Sequence, residues 1–341
     1  MSEVIDDSSR AAFTPSGDVF FEPLQNSLRL LDDFLYAQVA EFEPSVRELV
    51  NYTFDHRGKR LRPSLVFYAG WTGDAPQEPS LIRAAAIVEL VHLATLIHDD
   101  ILDEAALRHN SSTVAAKYGS HTAVLLGDAL FAQALVLASE FPSTQVCRLV
   151  ATATRQVCSG EICQTFDRGN ARLSLEQYFR IIQLKTSELF ELSCRLGAYL
   201  TNAGEAYTDA CARYGRHLGI AYQIFDDIAD FFGDERGSGK TLGTDFASGK
   251  FTLPTLLHLR SLPPSENAAM ADALERKTIT PAALTAQIRS TNVLSECTQV
   301  LKTELNAAMA ALAPFGDKPA TIRLMKIADY IGARINKLNF F

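Results

Sequence analysis

The chain lacks any run of eighteen apolar residues, so no stretch reads as a membrane span. Hydrophobic content of 47% beside 21% charged residues is that of a globular protein. It has no Cys-x-x-Cys pair. Its six cysteines, at 147, 158, 163, 194, 211 and 297, fall in helical patterns, which suits reduced, mostly buried thiols better than a disulfide framework or a zinc site. Basic charge is not in excess: the net charge of −8 argues against nucleic acid as a partner. It does not argue against a diphosphate, because a bound cation inverts the local sign. The first ten residues, Met-Ser-Glu-Val-Ile-Asp-Asp-Ser-Ser-Arg, lack the basic start and apolar stretch of a signal peptide, and a cytoplasmic location is expected. Period-two strands, fixed-length repeats and linker-like stretches are also missing. The expectation is an all-α fold, with a loose arm over 1–20 and a single helical domain over 21–341.

What is present is acid in an unexpected place. Residues 87–109 form an apolar helical run ending in His-Asp-Asp-Ile-Leu-Asp. On a helix, Asp99 and Asp103 lie one turn apart on one face, with Asp100 about 100° round. The C-terminal end of a helix disfavours anions, so a cation is needed to hold them there. A second Asp-Asp-x-x-Asp, at Asp226, Asp227 and Asp230, again ends an apolar helical pattern. Two facing carboxylate clusters suit a hard cation such as Mg2+, which completes its shell with water and substrate phosphate oxygens. The pattern reads as a metal-bridged diphosphate site.

Cations accompany the acid. His-Arg-Gly-Lys-Arg-Leu-Arg-Pro at 56–63 gathers four of them around one glycine ahead of a helix spanning Ser64–Trp71, an anion site built from Gly58, Lys59 and Arg62. Apolar periodicity predicts further helices over Leu24–Val50, from near Leu81, and over Thr122–Phe141, Thr144–Phe166, Leu175–Leu200 and Tyr207–Phe232. Arg108–Thr113 reads as a polar turn. The loop at 233–250 holds five glycines and contains Gly-Ser-Gly-Lys-Thr. A P-loop is excluded, because its first glycine would fall at Asp234 and no strand precedes it. A mobile lid carrying Lys240 and Lys250 over a phosphate is the better account.

Taken together, Gly-Lys-Arg-Leu-Arg-Pro, His-Asp-Asp-Ile-Leu-Asp followed by Arg108, Lys185-Thr186, Gln223-x-x-Asp-Asp-x-x-Asp and Gly-Lys-Phe-Thr-Leu-Pro at 249–254 resemble the trans-isoprenyl diphosphate synthases, or polyprenyl synthetases. The resemblance runs from about Leu31 to the C-terminus. It implies a large bundle of mostly antiparallel helices around a central cavity, commonly a homodimer. It also implies Mg2+, roughly three ions per site with substrate bound, held by Asp99, Asp100, Asp103, Asp226, Asp227 and Asp230. The implied reaction is head-to-tail prenyl transfer: an allylic diphosphate ionises, isopentenyl diphosphate attacks, and proton loss restores an alkene. By match to the family, Arg108, Lys185 and Lys240, with Lys250 nearby, bind the allylic diphosphate. Gly58, Lys59, Arg62 and His92 hold isopentenyl diphosphate, Thr186 and Gln223 line the cation's path, and Arg334 and Lys337 match a closing C-terminal pair. The released pyrophosphate is the proton acceptor that the resemblance implies. No anchor for a membrane is marked.

One position departs from the family. Arg108-His109-Asn110 stands where Arg-Arg-Gly is usual. A histidine of ordinary pKa, about 6.5, is mostly neutral at pH 7 and is a weaker ligand for isopentenyl diphosphate.

A helix turn rises about 5.4 Å, close to one isoprene unit, so side chains below Asp99 set the depth open to a growing tail. Thr95 and Ala94 are small where farnesyl-type enzymes tend to carry aromatics, and Val91, Val88 and Ile87 continue without an aromatic. Leu126, Leu130, Phe131 and Ala134 form the expected opposite wall, with Phe131 as the stop. The expected product is therefore hexaprenyl to decaprenyl, the length used for quinone side chains. The alternatives are a farnesyl or geranylgeranyl diphosphate synthase and a non-catalytic subunit of a hetero-oligomeric synthase. Such subunits usually lose an aspartate cluster, and a class I terpene cyclase would lack the Gly-Lys-Arg site.

Overall fold

The computed structural model describes residues 21–55, 58–73, 78–108, 111–233 and 242–338, with side chains to 335. The architecture is helical, with one two-residue hairpin among the described residues. The chain forms α1 (Gln25–Gln38), α2 (Arg47–Asp55), α3 (Leu61–Ala69) and α4 (Pro79–Leu102), then β1 (Leu107–Arg108) and β2 (Ser111–Ser112). It continues through α5 (Val114–Tyr118), α6 (Ser120–Ser139), α7 (Thr144–Phe166), α8 (Leu175–Ile182), α9 (Glu188–Leu200) and α10 (Glu205–Phe232). Six shorter or peripheral segments close it, of which α11 (Thr244–Ala247), α12 (Leu253–Ser261), α13 (Pro264–Glu275) and α14 (Pro281–Arg289) precede α15 (Val293–Leu312) and α16 (Pro319–Leu338).

Two helices organise the rest. Helix α4 starts with Pro79 at its first position, where the missing N–H costs nothing. It buries Ala84, Ala85, Ala86, Ile87, Val88, Leu90 and Val91 on every side, so it is a central helix rather than an amphipathic one. It packs on α6, α9, α3 and α1. Helix α10 packs on α9 and α15, and its close approach to α9 depends on missing side chains. A Cβ at Gly215 would fall 2.5 Å from the Phe190 carbonyl oxygen, and one at Gly219 would fall 2.6 Å from the Ser187 Cα. Both central helices end in the acidic motifs, so the core itself aims the two clusters.

Several boundaries differ from the periodicity. The helix expected over Leu24–Val50 breaks into α1 and α2 around Phe42–Val46, where Pro44 withholds an N–H. The helix expected over Leu175–Leu200 is interrupted by one π-type turn, Gln183–Ser187. The polar turn after the first cluster is the β1–β2 hairpin, with Leu107 opposite Ser112 and Arg108 opposite Ser111. Cys194, Cys211 and Cys297 are buried as free thiols, but Cys147 and Cys163 are only partly covered and Cys158 is exposed, so "mostly buried" is corrected.

Averaged over a window, two helices are more apolar than their uninterrupted runs suggest, as the core helix of a soluble protein also can be. Helices α4 and α6 are long and apolar enough to cross a bilayer by length and composition. No uninterrupted run shows this, because isolated polar residues break each stretch without lowering its average much. The most apolar window of α4 is 72% buried inside the bundle, whereas that of α6 is only 39% buried.

Candidate active site

At the end of α4, Asp99 and Asp103 stand one turn apart, with the Asp103 N–H donating to the Asp99 carbonyl at 2.8 Å. Glu104 then takes a left-handed φ of 51°, which turns the chain into the hairpin. The hairpin returns Arg108 onto Asp100, whose Oδ1 accepts from Nε at 2.8 Å and lies 2.7 Å from Nη2. Asp100 is 5% exposed. It faces protein, not the opening.

The other two aspartates meet cations from three further segments. The Lys185 ammonium, carried by the π-type turn, lies 3.3 Å from Asp99, touches Glu161 and donates to Gln164 Oε1 at 2.9 Å. Asp103 accepts from Lys250 at 2.6 Å and from Arg168 at 2.5 Å. Burial raises the Asp99 pKa to about 6 against the pull of Lys185. Burial would also raise Asp103, but Lys250 and Arg168 bring it below its ordinary value.

On α10 the inner aspartate is again sequestered. Asp227 is 1% exposed; its Oδ2 accepts from the Tyr178 hydroxyl at 2.5 Å and its Oδ1 from Gln223 Nε2 at 2.9 Å. Gln223 Oε1 in turn accepts from the Thr186 hydroxyl at 2.7 Å. Asp230 accepts from the Thr244 N–H at 3.1 Å, its hydroxyl at 2.8 Å and the Asp245 N–H at 3.2 Å. Asp226 is on the exposed side of the helix, and Arg62 feels its charge.

Asp245 ties the clusters into one site. Burial, then the carboxylates of Asp227 and Asp230, push its pKa up to about 8, with Asp103 adding to the effect and Lys250 opposing it. Burial likewise raises Asp227 to about 7. A cavity of about 130 Å³ is lined by Lys185, Thr186, Gln223, Asp227, Asp245 and Lys250, with Ile181, Ile182 and Phe251 supplying apolar wall. Among the described residues no three Asp, Glu, His or Cys side chains converge as a complete metal cage. Hard oxygen donors gathered beside lysines, without a closed cage, fit Mg2+ shared with substrate oxygens and water.

The basic motif lies further back along α4. Arg62 Nη1 is 2.9 Å from His92 Nε2, and its guanidinium stacks 4.9 Å from the Phe190 ring centroid. Lys59 is exposed and Gly58 partly so; a Cβ at Gly58 would meet nothing within 4 Å. Arg334 stacks on Phe225 at 5.7 Å. His109 and Lys240 lie outside the described residues, as does the side chain of Lys337.

Below Asp99, Ala94 and Val91 are buried and the Thr95 hydroxyl bonds back to the His92 carbonyl at 2.7 Å. Phe131 is half-buried, its ring centroid 5.7 Å from that of His98. It therefore stands near the acidic end of α4 rather than at the floor of the tail's path, the place expected of the stop, because α6 brings position 131 level with His98.

Five contributors were not found from sequence: Glu161, Gln164, Arg168, Tyr178 and Asp245. Each is a single polar residue without a repeated partner. Only the i, i+3 pair Glu161 and Gln164 offered a spacing signal, since both share a face of α7.

Comparison with known proteins places this geometry. The polyprenyl synthetase family model matches residues 43–290. Octaprenyl diphosphate synthase of Haemophilus influenzae is 32% identical over 246 residues, 71% of this chain and 73% of that one. The structure of a decaprenyl diphosphate synthase from Rhodobacter capsulatus superposes with a TM-score of 0.85 at 28% identity, covering 93% of this chain and 98% of that one. Polyprenyl synthase from Caulobacter crescentus, solved with calcium and isoprenyl diphosphate, gives 0.84 at 30% identity over 92% and 97%.

Proposed function

The chain belongs to the polyprenyl synthetase family and is a prenyltransferase, and from that premise we propose a long-chain all-trans polyprenyl diphosphate synthase that condenses isopentenyl diphosphate with an allylic diphosphate. The observation that carries the reading is a cavity lined by Asp227, Lys185 and Lys250, whose two ammonium groups reach Asp99 and Asp103 of the first cluster, with a separate basic site in which Arg62, at the start of α3, meets His92 of α4. One diphosphate must leave and another must stay, so two anion sites are what the chemistry needs.

Each residue has a physical task. Asp99, Asp103, Asp226 and Asp230 would hold the divalent cations, with Asp100 and Asp227 as inner members braced by Arg108 and by Tyr178 and Gln223. The bound Mg2+ supplies positive charge to the departing diphosphate oxygens. Lys185, Lys250 and Lys240, with Arg108, add fixed positive charge where the leaving group gains negative charge, often the largest catalytic contribution. The Thr186 and Gln223 oxygens turn dipoles toward the allylic carbon, and the double bond of isopentenyl diphosphate then forms the new carbon–carbon bond. Pyrophosphate takes the proton. Ala94, Thr95 and Val91 leave the α4 side of the tail's path small, and Phe131 narrows it near the mouth. The names of the octaprenyl and decaprenyl relatives favour the same length range. Replacing His109 by Arg lowers KM for isopentenyl diphosphate; an unchanged KM means position 109 makes no contact.

The test is incubation of the purified chain with Mg2+, labelled isopentenyl diphosphate and dimethylallyl, geranyl or farnesyl diphosphate, followed by chromatography of the dephosphorylated products. A ladder ending at hexaprenyl or beyond is expected. A stop at farnesyl or geranylgeranyl refutes the long-chain reading. Inactivity of folded protein with every primer favours a subunit that works only beside a sister chain.

A further inference from the structure

Helix α4 buries one carboxylate among its apolar residues. Glu89 is 2% exposed, and Arg60, 7% exposed, reaches it from the start of α3 with Nη1 2.5 Å from Oε1. The other terminal nitrogen of Arg60 donates to Asp32 on α1 at 3.2 Å. To make these contacts Arg60 adopts φ 55° and ψ 33°, a left-handed conformation uncommon for a residue with a Cβ. Its carbonyl oxygen accepts from the Ser64 N–H at 3.0 Å and hydroxyl at 2.9 Å, which fixes the same turn from the other side. Burying an ion pair is a poor route to stability, since well-packed apolar residues often do as well or better. Its location gives it another use. Arg60 stands between Lys59, which is exposed, and Arg62, which points at His92.

On a helix, Glu89, His92, Asp99 and Asp103 share one strip, and the ten residues from Glu89 to Asp99 span about 15 Å. One rigid element therefore carries the anchor of the basic loop, a member of the basic site and the first aspartate cluster. Building on the synthase reading above, we propose that Arg60 and Glu89 are positioning residues for isopentenyl diphosphate. Their ion pair fixes Lys59 and Arg62 at a set distance along α4 from the allylic diphosphate site. Two substrates held at neighbouring points of a shared helix react only if their carbons meet at about 3–3.5 Å, and a displacement of about 1 Å costs on the order of a hundredfold in rate. The pair touches neither substrate. It acts through the loop.

The experiment compares wild type, Glu89→Gln and the double variant Arg60→Met/Glu89→Leu. Thermal unfolding, separate KM values for the two substrates, and calorimetric titration with isopentenyl diphosphate alone are measured. Glu89→Gln is expected to raise KM for isopentenyl diphosphate about tenfold while leaving that for the allylic primer within about twofold. The double variant, which removes both charges of the buried pair and leaves only the partly exposed Asp32 without its Arg60 contact, is expected to recover most of the wild-type Tm yet keep the raised KM and the weakened calorimetric binding. Recovery of KM together with Tm overturns the proposal, because the pair is then only structural. Equal rises in both KM values overturn it as well. A wild-type chain inactive with every primer but binding isopentenyl diphosphate in the calorimeter removes the synthase reading; the variants' binding then decides the loop's positioning separately.

Discussion

Glu188, in the first turn of α9, is a carboxyl group whose environment opposes its charge. Burial, then the Glu191 carboxylate, raise its pKa from 4.5 to about 7 against the pull of Arg216, Arg195 and Arg180. Between those values the folded state holds a proton that the unfolded state has lost, so stability falls as pH rises through that window, and the cost is complete above it. Glu188→Gln is therefore expected to raise Tm near about pH 8 and leave it unchanged near about pH 4. Thermal unfolding at the two pH values checks this, and an equal effect at both refutes it. Glu188 also illustrates what single residues hide. The aspartate clusters were legible because the motif occurs twice at helical spacing, and Lys185 and Lys250 through the motifs around them. Tyr178, Arg168 and Asp245 were not. Their roles arise from contacts across separations such as the 49 residues between Tyr178 and Asp227, which no local pattern encodes. Nor did spacing distinguish the inner aspartates, whose burial behind Arg108 and Tyr178 follows from the hairpin and from α8.

Among elements, the π-type turn Gln183–Ser187 is the one that carries chemistry. Its extra residue swings Lys185 toward Asp99, and such turns often mark functional sites. Gly160 of α7 makes room for it: a Cβ there would lie 2.5 Å from the Lys185 backbone nitrogen and 2.8 Å from the Leu184 Cβ. Gly160→Ala must push the turn away, with an overpacking cost of about 1–3 kcal/mol. It is expected to lower Tm and to raise KM for the allylic diphosphate more than for isopentenyl diphosphate. Unchanged kinetics would separate the turn from substrate binding. Helix α4 carries the second prediction at this scale. Ala94→Phe puts an aromatic ring about one turn below Asp99, and the product should shorten by one or more isoprene units when the dephosphorylated ladder is chromatographed. An unchanged ladder means the tail does not pass Ala94. Most helices were legible because apolar periodicity is a local property, and α7 runs over the expected Thr144–Phe166. The π-type turn was invisible because its residues are ordinary helix formers, and only packing against Gly160 and α10 selects the wider turn.

At the scale of the molecule, α6 is a helix with too much apolar surface for one chain to cover. Leu125 is 69% exposed, Val136 50%, Val124 42% and Leu135 40%. Spacings of 11 residues set Val124 in line with Leu135 and Leu125 in line with Val136, two neighbouring rows of one face. Its opposite side packs on α4 through Ala123, Leu126, Leu130 and Ala134. An exposed helix face this apolar, broken by Asp128, whose side chain is 63% exposed, suits a covering surface, and the same face on a second copy is a self-complementary way to provide it. We therefore propose a homodimer joined along α6. The double variant Leu125→Glu/Val136→Glu places charge in that contact, where each unpaired buried carboxylate costs several kcal/mol, a weakening of about a hundredfold or more. Sedimentation should report a change from twice the chain mass of 37.4 kDa to a single chain. A dimer that survives both charges puts the subunit contact elsewhere. If vesicle binding is lost while the mass stays the same, the stripe faces lipid instead, and the apolar product would leave on that side. Dissociation with loss of activity would further mean that α6 needs its partner to hold Phe131 and His98 beside the first aspartate cluster.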